Sequence, residues 1–94
     1  MTVHRFAARR DANEDALVAV AQKLGAWVIY GPPLDFWLWH PKTGFVPVEV
    51  KSRRGQYTQA QKRFLYQCQL NKAPAWLWRC EEDVLKCLGA LDSA

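Results

Sequence analysis

The sequence predicts a small α/β domain of element order αβββαβα, with a central mixed sheet flanked by helices. Three observations carry that expectation. The chain has 94 residues, room for one core and too few for a second. Half of its residues are hydrophobic and five are Trp, so a compact core is within reach. Apolar residues also switch between helical spacing and strand alternation along the chain, with Gly and Pro at the switches.

Residues 1–10 read as a basic arm carrying Arg5, Arg9 and Arg10, and residues 11–94 as a single domain. Asp11 is a suitable N-cap, and Glu14 three residues later completes a capping-box pattern. Leu17, Val20, Ala21 and Leu24 then fall at helical spacing, and Gly25 suits a helix stop, so a helix is expected over about 11–24. The segment AWVIY (26–30) is rich in aromatic and β-branched residues and reads as a strand. GPP breaks it. LDFWLWH (34–40) alternates and reads as a second strand, PKTG as a turn, and FVPVEVKS (45–52) as a third strand.

In that third strand Val46, Val48 and Val50 point one way, and Glu49 and Lys51 the other. Pro47 cannot donate to a ladder, so the first part of the strand belongs at an edge or bulge. Thr58 opens a second long helix whose inward stripe is Phe64, Leu65 and Cys68. APAWLWRC (73–80) supplies a fourth strand. EEDVLKCLGAL (81–91) forms a last helix, with its acids where the macrodipole favours them.

The net charge is +4, but its distribution says more. Between Val50 and Cys80 there is no carboxylate, while Lys51, Arg53, Arg54, Lys62, Arg63, Lys72 and Arg79 all fall there. An acid-free basic segment suits a polyanion, and nucleic acid is the commonest one. A solvated basic face is the plainer account. Cys68, Cys80 and Cys87 are odd in number and lack paired metal spacing. They read as buried thiols in a reducing cytoplasm. No apolar run approaches the roughly 20 residues that span a bilayer.

The carboxylates that invite a chemical reading are Asp35 and Glu49. Asp is depleted in strands, so one inside LDFWLWH needs a reason. Tying down the Pro-Pro turn is one such reason. Paired as a hairpin, the second and third strands would bring Asp35 and Glu49 together. Two close carboxylates repel unless a cation sits between them. Their hard oxygens suit Mg2+ or Mn2+, with the Val50 carbonyl as a further ligand. Lys51 shares the face of Glu49. From there it would orient or activate a water, or stabilise charge developing on a phosphate.

With Glu14 in the early helix, GPPLD, VEVKSRRG and TQAQ in that order, the chain resembles the PD-(D/E)XK nuclease superfamily, in particular its VRR-NUC branch. The resemblance covers about residues 10–90. The family places Pro directly before the metal-binding Asp, whereas here Leu34 intervenes. The resemblance implies a minimal PD-(D/E)XK fold. It also implies that Glu14 is a metal or water-shell ligand and that Gln61 is a hydrogen-bonding partner in the site. Both residues also fit capping boxes, which require no catalysis. Arg53, Arg54, Lys62 and Arg63, with Arg9 and Arg10, read as phosphate contacts, which position DNA without reading sequence.

The tryptophans alternate along strands and read as core. Trp37 and Trp39 share the face of Asp35 and are open to walling a site or forming an interface. The expected activity is Mg2+- or Mn2+-dependent endonucleolytic cleavage of DNA. By resemblance the substrate is a four-way (Holliday) junction and the enzyme a homodimer, of phage or mobile-element origin and cytoplasmic. Three alternatives stand beside it: a flap, nick or duplex nuclease of the same fold, a non-catalytic nucleic-acid-binding module, and a small interaction protein whose basic face is incidental.

Overall fold

The structure is a computed structural model that describes residues 12–52 and 56–89. Its elements follow the expected order. Helix α1 spans Ala12–Lys23, strand β1 Trp27–Tyr30, β2 Phe36–His40 and β3 Gly44–Val50. Helix α2 spans Gln59–Leu70 and strand β4 Trp76–Trp78. The last helix, α3, runs over Glu81–Val84 and widens into a π-helical turn over Leu85–Gly89. Asp11, the proposed N-cap of the first helix, lies outside the described residues, as does the 1–10 arm.

Helix α1 ends as its sequence predicts. Gly25 takes a φ of +93°, a conformation that costs a glycine little. Its N–H bonds the Gln22 carbonyl at 3.1 Å, and Ala26 N–H bonds the Ala21 carbonyl at 3.1 Å. These are the two bonds of a Schellman stop, and they turn the chain directly into β1.

The sheet is four-stranded in the order β1-β2-β3-β4. β1, β2 and β3 form an antiparallel meander, and β4 joins β3 in parallel. A parallel neighbour needs a crossover, and α2 provides it. β4 pairs with β3 only from Val48 onward, so Pro47 faces the side of β3 that β4 has not yet reached. Pro47 is therefore at a local edge, as its missing N–H requires.

The two sheet faces differ. Phe36, Leu38, Val48, Val50 and Trp78 bury one face under Leu17, Val18 and Ala21 of α1 and Val84 and Leu88 of the last helix. This face holds the core. The other face carries Trp37, Trp39, Phe45, Pro47 and Glu49, with α2 reaching it through Gln61. Phe64 and Leu65 are half-buried and Cys68 is buried, so the inward stripe of α2 is the expected one.

Several expectations need correcting. The second strand begins at Phe36, and Leu34 and Asp35 lie in the bend before it. The fourth strand is cut to three residues because its parallel partner ends at Val50. Trp78 is core, but Trp27 and Trp39 are exposed, because they lie on the far end of the second face, away from the α1 layer. Cys68 is buried, Cys87 is half-buried, and Cys80 is exposed at the N-cap of α3. Among the described residues, no helix is long and apolar enough to cross a membrane.

Candidate functional site

The β2–β3 hairpin places the two carboxylates. Phe36 pairs with Val48, so Asp35, just before Phe36, comes close enough to Glu49, just after Val48, for their charges to interact. Asp35 N–H bonds the Val48 carbonyl at 3.1 Å, which adds a link to β3 ahead of β2, at the residue that Phe36 already faces. The Asp35 side chain adds another: Oδ2 accepts the Val50 N–H at 2.6 Å. An N–H and C=O of one strand residue point the same way, so the Val50 carbonyl also faces the Asp35 side. Trp37 holds the approach to this bend, its indole N–H donating to the Pro32 carbonyl at 2.9 Å.

Glu49 is the centre of the arrangement. It is 2% exposed, deep for a carboxylate. Its Oε2 accepts from Lys51 Nζ at 3.0 Å and from Gln61 Nε2 at 2.9 Å. Its Oε1 is buried and meets no hydrogen-bond donor among the described residues. A buried acceptor left unmet costs about 1–3 kcal/mol, so this orphan calls for an explanation.

The electrostatics agree with the geometry. Burial pushes the Glu49 carboxyl above its ordinary range, with the Asp35 charge acting in the same direction. The hydrogen bond and charge of Lys51, and the Gln61 amide, oppose the rise without cancelling it. Asp35 and Glu49 therefore feel one another as like charges.

Gln61 plays both of the roles that its position suggested. Its Oε1 accepts from the Thr58 N–H at 3.0 Å, and its own N–H donates to Thr58 Oγ1 at 3.1 Å. That capping box opens α2. The remaining Nε2 is the group that reaches Glu49. The cap thus fixes the rotamer that serves the site.

Glu14 is buried on α1, the helix packed over the opposite face of the sheet, and is engaged within the fold. Among the described residues, no group of three or more His, Cys, Asp or Glu side chains is gathered to hold a metal ion. Lys62 and Arg63 are exposed on the first turns of α2, beside Gln61 in sequence. Arg9, Arg10, Arg53 and Arg54 lie outside the described residues.

Two residues join the site that the sequence did not single out. Lys51 N–H bonds the Trp78 carbonyl at 3.1 Å, which continues the β3–β4 register so that Arg79 lies beside Lys51. The Arg79 guanidinium donates to the Ser52 carbonyl and so holds the chain just after Lys51. The ring of Tyr57 lies 6.0 Å from Lys51 Nζ. Burial first, and the Glu49 charge second, raise the Tyr57 phenol above its usual value, while Arg79 opposes them. For Arg79 the sequence offered only its place just after the fourth strand, and the parallel register with β3 came from the fold. Tyr57 carried no such signal, because only the loop fold brings it back.

These elements define a small α/β domain with a carboxylate pair, a lysine and an amide at the ends of two adjacent strands. The chain matches no protein-family model, no curated protein and no solved structure. Its function is therefore argued from the site itself.

Proposed function

We propose that this chain is a divalent-metal-dependent DNA endonuclease of the PD-(D/E)XK type, similar to the VRR-NUC branch. It would cut branched DNA as a homodimer, since a symmetric junction needs two cuts and each chain carries one site. The observation that carries the reading is the orphaned Oε1 of Glu49. It is a buried carboxylate oxygen without a donor among the described residues, on a side chain whose pKa is raised first by burial and then by the Asp35 charge. A cation between them would satisfy both.

The residues present fit Mg2+ or Mn2+, with Asp35, Glu49 and the Val50 carbonyl as the protein ligands. Such an ion, when bound, supplies Lewis-acid polarisation of a phosphate oxygen. The chain's own groups do the rest. Lys51 brings a cation to within 3.0 Å of Glu49, where it would orient the attacking water and stabilise charge developing on the phosphate. Gln61 holds Glu49 in one orientation through its 2.9 Å bond. Arg79 fixes the backbone that follows Lys51. Lys62 and Arg63 face solvent, where they would meet flanking phosphates. Water adds to phosphorus, the P–O bond to the leaving oxygen breaks, and that oxygen takes up a proton.

The test uses labelled four-way junction, flap and linear duplex, each with wild type and Lys51→Ala in Mg2+, Mn2+ or EDTA. Paired symmetric cuts on the junction, lost in EDTA and in the variant, are the expected result. Cutting of flap or duplex alone keeps the site and changes the substrate. One observation favours a second reading, a non-catalytic nucleic-acid-binding module. Lys51 is already engaged by Glu49, at 3.0 Å. Equal DNA binding by both proteins with no cutting under any metal would establish that reading instead.

A further inference from the structure

The far end of the site-bearing face carries a row of exposed aromatics. Trp27 pairs with Trp39, and Trp39 pairs with Phe45, so the three stand side by side across β1, β2 and β3. Their ring centroids lie 6.2 Å (Trp27–Phe45) and 5.0 Å (Trp39–Phe45) apart, tilted by about 50°. They are 58%, 37% and 50% exposed, against complete burial of Trp78 and Phe36 on the other face. Three large rings, the two tryptophans both against Phe45 and all presented to water by the sheet, call for an occupant.

We infer that Trp27, Trp39 and Phe45 form a stacking platform for unpaired nucleic acid bases, in line with the carboxylate–lysine site on the same face. The inference rests on the nuclease reading for its alignment with the site, though stacking itself requires no cutting. Every base has a π-face, so aromatic rings on a sheet take bases without regard to sequence. The spacing suits a strand of nucleic acid. Phe45 precedes Glu49 by four residues of β3, roughly 13 Å at the rise of a strand. A base a few nucleotides from a phosphate at Glu49 would reach the row.

Charge favours a polyanion over a protein partner. Between Asp15 and Glu81 the only carboxylates are Asp35 and Glu49, the pair assigned to the site. Lys23 precedes β1, and Lys42 stands exposed in the turn that joins the strands of Trp39 and Phe45. A second copy of the chain fits less well. A standard interface covers roughly 800 Å² per partner, a disc of roughly 16 Å radius. Centred on this row it would cover Glu49 and close the site. The proposed homodimer therefore uses another surface.

The test is a binding titration in EDTA, so that nothing is cut. The probes are a fluorescent 20-residue oligothymidylate and an abasic strand of equal length and charge. Wild type is expected to bind the oligothymidylate about tenfold more tightly than the abasic strand, with quenched tryptophan emission. Trp39→Ala and Phe45→Ala are each expected to weaken oligothymidylate binding roughly tenfold and to leave abasic binding unchanged. Phe45→Trp, which keeps a ring, should restore it and shows that the loss is not misfolding. Equal affinity for the two probes overturns the inference. So does light scattering that shows a wild-type dimer turned monomeric by Phe45→Ala, with oligothymidylate affinity unchanged, since the row is then a self-interface. Junction cleavage that survives when stacking fails refutes only the platform. Stacking that survives when neither wild type nor Lys51→Ala cuts under any metal refutes only the nuclease reading.

Discussion

Glu49→Gln keeps the shape of the side chain and removes its charge, and its clearest consequence is on how stability depends on pH. Burial and the Asp35 charge hold the Glu49 carboxyl above its ordinary value of 4.5 in the fold. In the unfolded chain both influences vanish. Between the two values the folded protein therefore binds more protons than the unfolded one. Stability is fully present below about pH 4.5 and is lost as the pH rises through the folded value. One group titrating alone changes unfolding free energy by at most about 1.4 kcal/mol per pH unit. For a domain of this size each kcal/mol is worth about 4–8 °C in Tm.

The assay is thermal unfolding of wild type and Glu49→Gln in EDTA across pH 4–9. Wild type minus variant should fall as pH rises above 4.5 and then level off. A divalent cation held by the ionised carboxylate should reverse the trend. At a hundred times its Kd it adds about 2.7 kcal/mol to wild type and nothing to the variant. A difference curve that is flat or rises with pH in EDTA refutes the account of Glu49 as a destabilised buried charge. A Tm that ignores both Mg2+ and Mn2+ refutes its assignment as a metal ligand.

Further outcomes follow from the same structure. Asp35→Ala leaves the Val50 N–H without its 2.6 Å acceptor and should cost about 1–3 kcal/mol in chemical denaturation. Asp35→Asn keeps an acceptor but removes a charge, so Glu49 should titrate at lower pH, read by carboxyl NMR. Gln61→Glu keeps the oxygen that caps Thr58 but sets a third carboxylate against Glu49. It should hold α2 intact by circular dichroism, raise the Glu49 pKa further and abolish cleavage, whereas Gln61→Ala should also lose about 1 kcal/mol with the cap. Of the three thiols only Cys80 is exposed, and burial raises the Cys87 thiol above its usual value. A thiol-specific reagent should therefore modify one cysteine rapidly in the native protein and all three after unfolding.

Local chemistry in the sequence determined the order of elements. Gly25 stops α1 because a positive φ suits it, and Thr58 with Gln61 opens α2 because each meets the other's backbone N–H. Alternation in FVPVEV assigned Val48 and Val50 to one face and Glu49 to the other, since strand geometry allows nothing else. The nearness of Asp35 to Glu49 followed from a hairpin with a short turn, whose register is locally set.

What lies far apart along the chain was decided only by the tertiary structure. That Arg79 stands beside Lys51 depends on the register in which a crossover returns β4, which no local pattern specifies. That Glu14 is buried, with Leu17, Val18 and Ala21 of the same helix packed in the core, depends on how α1 packs, a choice made by the whole core. The tryptophans show the same division. Alternation gave each a face, but whether that face is covered depends on the helices. Trp78 is therefore buried, while Trp27 and Trp39 meet water.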